Sequence, residues 1–316
     1  MPVDVSIVVV SKDSGPDLAV ALRSAAAQRG VSCETILVDN ASADGSLEAA
    51  SELGASVRRI ALPENVGYAA AVNAGIDATR GRYVLALNPD CRLEPDFAAI
   101  LSLRLDAPDA ADVGSASGRL YRGEGPELSR GPLLDSAGVR FTAWGRHFDR
   151  GAGEVAAGRF GMEEEVAGTS GAAGFYRRAA LEAVKISTGY FDADFFVYRE
   201  DADLAWRLRR LGWRCLYVPS AVASHRRRNL PERRRRMSPL ANMHSVKNRF
   251  LLRINNQTAD ELVRTAVPTL ARDVVVLGAC LTVERSSLPA FGWLWKNRKR
   301  LWAKRKEIQA KVETLR

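Results

Sequence analysis

The 316-residue sequence lacks any apolar run long enough to cross a bilayer: the longest, VVVLGACLTV at 274–283, is well short of the ~18–20 residues a membrane helix needs. Its first residues, MPVDVSIVVVSKD, put an acid where a secretion signal carries basic residues, so no such signal is evident. Cysteine is scarce. Cys33, Cys91, Cys215 and Cys280 lie far apart with no CxxC pair, which argues against a zinc site or disulfide framework and fits a reducing, cytoplasmic compartment. There is no Gly-x-Ser-x-Gly elbow, no HExxH, and no Ser or Cys with a credible base, so the familiar hydrolase and metalloprotease chemistries have no carrier. GTSGAAG (168–174) has glycine spacing without the lysine of a P-loop, and reads as a loop or a closely packed strand. No internal repeat is present.

What is there is globular: 47% hydrophobic and 26% charged residues, enough chain for one large domain or two small ones. The net charge of +9 is unevenly held. RRRNLPERRRR (226–236) carries +6 and WLWKNRKRLWAKRKEIQAKVETLR (293–316) carries +7, leaving the remainder at −4. An ordinary body with two cationic segments is not a uniformly basic nucleic-acid binder, and no nucleic-acid partner is expected.

The first 118 residues alternate between two periods. Short β-branched runs at 4–11, 33–40, 56–62 and 83–90 are each followed by a helical stretch, at 17–28, 46–54, 69–81 and 95–106. This predicts an α/β fold, a mostly parallel sheet with helices on both faces. Ligands bind such sheets beyond the carboxyl ends of the strands. Here those ends are Ser11, Asp39-Asn40 and Asn88–Asp90, all polar. From 118 to 175 glycine-rich segments predict loops and a hairpin. A last strand is expected at 214–219, and 239–316 reads as helical with interruptions at Pro268 and Pro289.

Two segments carry the chemistry. YVLALNPD delivers Asn88 and Asp90 to the sheet edge, as hard oxygen ligands suited to Mg²⁺ or Mn²⁺, or else simply as good turn residues. In YREDADLAWRLRRLG, Glu200, Asp201 and Asp203 crowd the first turn of a helix. The macrodipole accounts for one or two such acids; beside Phe195, Phe196, Tyr198 and Trp206 they also fit a cleft wall with a general base. Gly67 sits at a helix start, where free N–H groups favour phosphate. Asn73, two turns on, is either a ligand or a buried structural amide. His225 follows the last strand, either as an ordinary structural histidine or as a further metal ligand; His147 and His244 have nothing to single them out.

In order, VSIVVVS, ILVDNASADGS, ENVGYAAAVNAGI, YVLALNPD, DSAGVRFTAWGRHFDRGAGE, GTSGAAGFYRR and FDADFFVYREDADLAWRLRRLGWRCLYVP resemble the family 2 glycosyltransferases of GT-A fold, and among them the rhamnosyltransferase-like group of bacterial surface-polysaccharide synthesis. The resemblance covers about 4–225. It implies a Rossmann-like GT-A domain over 1–225, with 1–118 on the nucleotide side and 119–225 on the acceptor side, followed by a basic helical region at 226–316. It implies inverting transfer of a sugar, rhamnose from a dTDP donor, to a hydroxyl of a glycan or polyprenyl-linked acceptor. By position Asp39 meets the base, while Ser11, Asn40, Asn65, Gly67, Asn73 and Asn88 line the donor. Asp90, with His225, holds a divalent metal, Mg²⁺ or Mn²⁺; Asp201 is the base and Glu200 tunes it. Two departures stand out. Asn88 replaces the first acid of the Asp-x-Asp pattern, and Ser11-Lys12-Asp13 stands where relatives carry Thr-Tyr-Asn.

No motif reads the sugar, so UDP-hexose, UDP-galactofuranose and GDP-mannose donors stay open. A sugar-1-phosphate nucleotidyltransferase would need a Gly-rich basic loop after the first strand, and SKDSGPD does not match one. A protein that binds anionic polymers would leave the acidic helix turn unexplained. The cationic segments are either solvated faces or, with Trp293, Trp295 and Trp302 among the basic residues, a seat on the anionic inner face of the cell membrane. An oligomer is compatible with the sequence.

Overall fold

The computed structural model describes residues 3–51, 53–142, 144–156, 158–227 and 238–314; residues 228–236 of the arginine-rich segment lie outside them. The chain starts as expected: β1 (Val5–Ser11), α1 (Asp17–Ala26), β2 (Cys33–Asp39), α2 (Ser46–Ser51), β3 (Val57–Ala61), α3 (Tyr68–Asp77), β4 (Tyr83–Leu87), β5 (Cys91–Leu93) and α4 (Phe97–Leu105). The middle is strand-rich: β6 (Val113–Glu124), β7 (Ser129–Ser136), β8 (Val139–Phe141), β9 (His147–Asp149), β10 (Glu164–Val166) and β11 (Ala173–Arg177). Then come α5 (Arg178–Val184), α6 (Glu200–Arg210), β12 (Arg214–His225), and the helices α7 (Pro239–Asn256), α8 (Ala259–Arg264), α9 (Ala266–Thr282) and α10 (Pro289–Glu313).

One sheet runs β10-β12-β6-β11-β4-β1-β2-β3, with β5 on β12 and β7 on β6. It is parallel through β4-β1-β2-β3 and between β12 and β6, with β11 inserted antiparallel between β4 and β6. Every residue of β1 is buried, because both faces of the sheet are covered. Val5, Ile7 and Val9 pack on Leu18 and Leu22 of α1 and on Phe97 and Leu101 of α4. Val8 and Val10 face Val72 and Ile76 of α3, Leu181 of α5 and Leu204 of α6. At ~1.5–3 kcal/mol per buried aliphatic side chain, this alternation fixes which strand ends reach the edge together.

The structure corrects several boundaries. The fourth strand stops at Leu87, and Asn88-Pro89-Asp90 is a turn. The glycine-rich stretch after 118 is largely strand, β6 and β7, with Gly118 placed where an added Cβ would lie 2.4 Å from the Phe97 ring. The last strand continues to His225, a register shift between Val218 and Val222 absorbing Pro219. Pro268 does not break α9, since it lies in the first turn, where a missing N–H costs nothing.

Packing crosses residue 225 without a seam. Asn255 of α7 donates to Asp192 (2.8 Å) and to Asp203 of α6 (3.0 Å), and Asn256 donates to Asp203 (2.7 Å). Arg207, fully buried, binds Asp203 and the carbonyls of Val184 and Tyr190. Lys304 of α10 is paired with Asp192 and Asp194, and Arg300 with Asp194. Burial alone would raise the Asp192 carboxyl; Lys304, Asn255 and Thr188 hold it below its ordinary value. Part of the cationic C-terminal segment is therefore internal structure. Lys304→Met should strand a buried carboxylate and cost ~3–5 kcal/mol in urea unfolding; a loss under ~1 kcal/mol would show that the pair holds nothing.

Candidate active site

The loops after β1 and β2 interlock. Ser11 is buried and its hydroxyl donates to Ser14 (2.9 Å). The Ala43 N–H donates to Asp13 (2.7 Å), the Gly15 N–H to Asp44 (2.9 Å), and the Ser42 N–H to Asp39 at the end of β2 (3.1 Å). Asp13 and Ala41 hold φ of +51° and +62°, strained values for non-glycine residues. Asn40 donates to Asn65 (2.9 Å) and accepts from the Val66 N–H (2.9 Å), while the Gly67 N–H donates to Asn65 (3.0 Å). Asn40 and Asn65 thus shape the loop that enters α3. Gly67 has φ +83°, and a Cβ there would sit 2.5 Å from the Phe196 ring, so its glycine makes room for that side chain. Asn73 stands apart from this group. Its amide donates to the carbonyls of Phe191 (2.7 Å) and Thr188 (3.3 Å) and accepts from the Phe191 N–H (2.9 Å), so both its donors are spent on the backbone of that segment, as in a buried structural amide.

Register brings Asp90 and His225 together. β5 pairs antiparallel with β12 so that His225 lies opposite Cys91, one residue beyond Asp90. His225 Nε2 is 3.2 Å from Asp90, and its Nδ1 is 2.7 Å from the buried Asp135. Burial disfavours the imidazolium, but Asp135 and Asp90 outweigh it and push its pKa up to about 10. Arg227 braces Asp135 (3.0 Å) and Asp149, and Arg226 binds Asp17 (2.8 Å). These two arginines of the cationic segment are therefore internal braces.

Once a divalent ion takes the place of the His225 Nε2 proton, the carboxylate and imidazole can serve as its ligands. Adjacent octahedral ligands ~2.1 Å from an ion lie ~3 Å apart, close to the observed spacing, and a carboxylate behind a histidine is the usual orienting partner of a metal ligand. Among the described residues no group of three or more His, Cys, Asp or Glu side chains could hold a metal by itself. Asp90 and His225 would supply two ligands and would need further oxygens from a bound molecule to hold an ion.

Glu200 and Asp201 open α6. The preceding backbone is strained, with φ of +64°, +68° and +73° at Phe196, Tyr198 and Arg199. Such residues cost ~1–3 kcal/mol each unless their surroundings impose them. Here Asn248 of α7 imposes them: its Nδ2 lies 2.7–2.8 Å from the carbonyls of Phe195, Val197 and Tyr198. Asp201 accepts from the Gly171 N–H (3.1 Å), and a Cβ on Gly171 would lie 2.9 Å from that oxygen. The next carbonyl, of Ala172, accepts from the Asn88 N–H (2.9 Å), so one short stretch of backbone joins the base candidate to the Asn-Pro-Asp turn. Burial pushes Glu200 up to about 8, with Asp201 adding to it; burial and Asp149 raise Asp201 to about 6. Glu200 is raised further than Asp201, so of the two Asp201 gives up its proton the more readily.

A family model for "Glycosyl transferase family 2" matches residues 6–185. The chain belongs to that family. It is similar to the N-acetylglucosaminyl-diphospho-decaprenol L-rhamnosyltransferase of Mycobacterium tuberculosis, at 32% identity over 241 residues, covering 69% of this chain and 75% of that protein. In fold it matches GalNAc-T7 with UDP, GalNAc and Mn²⁺ (TM-score 0.58, 13% identity), covering 80% of this chain and 49% of that one. It also matches the mannosyltransferase PcManGT from Pyrobaculum calidifontis with GDP-Man and Mn²⁺ (TM-score 0.53, 17% identity), covering 100% of this chain and 89% of that one. The expected GT-A fold is thus found, and the chain is a glycosyltransferase.

Sequence reasoning missed several residues of this glycosyltransferase site. Asp135, Asp149 and Arg227 come from distant strands and loops, and no local pattern announces them. His147 lies 3.4 Å from Arg199, and the His244 ring stacks on Phe196 (4.6 Å). Asn248 was visible only as a polar residue inside a helix, which is a signal when the position is buried.

Glu200 supplies a stability test. Its raised value means that its protonated form is the folded one, so the associated stability is present at low pH and is lost as pH rises through the folded value. Glu200→Gln should therefore flatten the fall in melting temperature between about pH 4.5 and pH 8. An unchanged fall would place the titration elsewhere.

Proposed function

We propose that the enzyme is an inverting, metal-assisted rhamnosyltransferase that moves the sugar from a dTDP donor to a hydroxyl of a glycan or polyprenyl-linked acceptor. The observation that carries the mechanism is the placement of Asp201: a carboxylate that accepts from the Gly171 N–H, one peptide away from the contact to Asn88. The rhamnose and lipid-linked readings are supported by the name of the mycobacterial relative.

Asp39 is assigned to the nucleotide base, with Ser11, Asn40 and Asn65 shaping its pocket, and Asn88 to the donor's phosphate side. Asp90 and His225 would hold Mg²⁺ or Mn²⁺, which when bound offsets charge on the departing diphosphate. Asp201 takes the proton of the acceptor hydroxyl as that oxygen bonds to the anomeric carbon; the bond from that carbon to the diphosphate oxygen breaks, its electrons leaving with the nucleotide. Glu200, protonated, keeps a second negative charge out of the site while remaining beside the base. The catalytic unit in this reading runs past residue 225 to include α7 and the inner face of α10.

We also assign the membrane seat to α9 rather than to the cationic segment alone. No single helix among the described residues is long and apolar enough to cross a membrane, and α9 meets the following segment at 112°. Yet Val267, Leu270, Val274, Val275 and Leu281 of α9 are exposed, and Trp295 of α10, with Arg298 over its ring, is 70% exposed. An apolar face beside tryptophan and basic residues suits the headgroup boundary.

Asp201→Asn should lower turnover ~10²–10⁴-fold while nucleotide binding persists. In the unmodified enzyme the acidic limb of turnover should fall near pH 6, above the ~3.9 of an ordinary aspartate; near-normal turnover in the variant removes the assignment. Val267→Glu with Val275→Glu should abolish sedimentation with anionic liposomes and leave melting unchanged. Full sedimentation of that variant would rule out α9 as the seat.

A further inference from the structure

The β8–β9 hairpin is joined to both halves of the site. On the side of Asp90 a continuous chain of charged contacts leads to it. His225 stands 3.2 Å from Asp90 and 2.7 Å from Asp135; Arg227 donates to Asp135 (3.0 Å) and to Asp149 at the end of β9 (2.5 Å). Arg227 also binds the Asp135 carbonyl (3.1 Å) and holds φ of +28°, a conformation its surroundings must impose. Asp149 keeps 19% of its side chain exposed.

On the side of Asp201 the join is through backbone. Val139, opposite Asp149 across the hairpin, donates to the Gly168 carbonyl (2.8 Å) and accepts from the Ala167 N–H (2.9 Å). Three residues on, the Gly171 N–H donates to Asp201. This strip is pressed onto α6, since a Cβ on Gly168 would collide with that of Ala205. Phe141 packs on Trp206 of α6 with ring centroids 5.3 Å apart, and His147 meets Arg199 (3.4 Å).

Few charges face Asp201. Glu200 comes from its own helix, Arg199 from the residue before that helix, and Asp149 from the hairpin. Tyr68 of α3 and Tyr176 of β11 add buried phenols, which burial above all and Asp201 in part push up. After burial, Asp149 is the strongest influence on the Asp201 carboxyl and raises it; Arg199 acts the other way. A base whose value is raised takes a proton more readily.

We infer that Asp149 is a positioning residue for the base: held by Arg227 in line with Asp135, it ties the hairpin to the strip that carries Asp201 and fixes the negative charge that Asp201 faces. The inference rests on Asp201 being the base. One arginine thus steadies a carboxylate at each end of the site, Asp135 behind His225 and Asp149 before Asp201.

Carboxyl ¹³C NMR of the full chain labelled at aspartate tests it, with the Asp201 signal assigned by its loss in Asp201→Asn. Asp149→Asn should lower the Asp201 midpoint, about 6 in the unmodified protein, by ~0.5 pH or more, the scale of one charge a few ångströms away in a partly solvated site. The acidic limb of dTDP-rhamnose turnover should move with it, and Asp149→Glu should restore both. In an Arg227→Gln background, Asp149→Asn should shift the midpoint less, because Asp149 is no longer held. The double variant leaves neither partner of that pair charged and alone, so it keeps the test readable where Asp149→Asn unfolds; its midpoint should also lie below that of the unmodified protein. An unmoved midpoint in the folded variants overturns the inference, and equal shifts in both backgrounds overturn the tie through Arg227. Turnover of Asp201→Asn separates the two readings. If it is near normal while Asp149→Asn moves the midpoint, the base assignment fails and the charge coupling stands; slow turnover with an unmoved midpoint fails the role of Asp149 alone.

Discussion

Two adjacent carboxylates at the head of one helix, Glu200 buried and Asp201 half-buried, are the constraint around which this glycosyltransferase is organised. Glu200 is buried and one of its oxygens has no partner, and Asp201 sits beside it with a single N–H from the Gly171 loop. Water would stabilise both charges, and its exclusion raises both acids. Glu200 is raised further than Asp201, which is what the proposed division into one base and one silent neighbour requires. The loop before them is twisted into positive φ at three non-glycine residues. That arrangement persists because Asn248 reaches three of its carbonyls from a helix that begins beyond the last strand.

The C-terminal helices accordingly pack as one structure with the head of α6. Asn255 and Asn256 tie α7 to Asp203 and Asp192, and Lys304 brings α10 to the same acids. A buried ion pair is weak evidence for net stability, but losing one partner is costly. The network therefore acts as a registration device that sets α6 against α7. What lies outside that network, the outer face of α9 and Trp295, is free to meet something apolar.

Much of this was legible in the sequence. The alternation of strand and helix over the first 118 residues gave the parallel half of the sheet, because β1 and its neighbours are buried on both faces and so read as unbroken apolar runs. Asp90, Glu200 and Asp201 stood out as candidates because acids at a strand end and a helix start are locally conspicuous. What escaped were relations across the chain. Asn73 turns out to clasp the Thr188–Phe191 backbone, a partner 118 residues away that no local pattern encodes. Asp135 behind His225 is similar, as is the charge of the C-terminal segments: Arg226, Arg227, Arg300 and Lys304 add to the formal +9 yet are each paired with an acid of the protein's own. Net charge counts ions without saying which face solvent.

The central claim is that one ionised carboxylate drives a single displacement at the anomeric carbon. NMR of the product against the donor tests it most directly, through the anomeric configuration on each side of the reaction. A single displacement with Asp201 as base predicts opposite configurations. Retention of the donor's configuration would require a second displacement and a covalent or ion-paired intermediate, and would contradict the account.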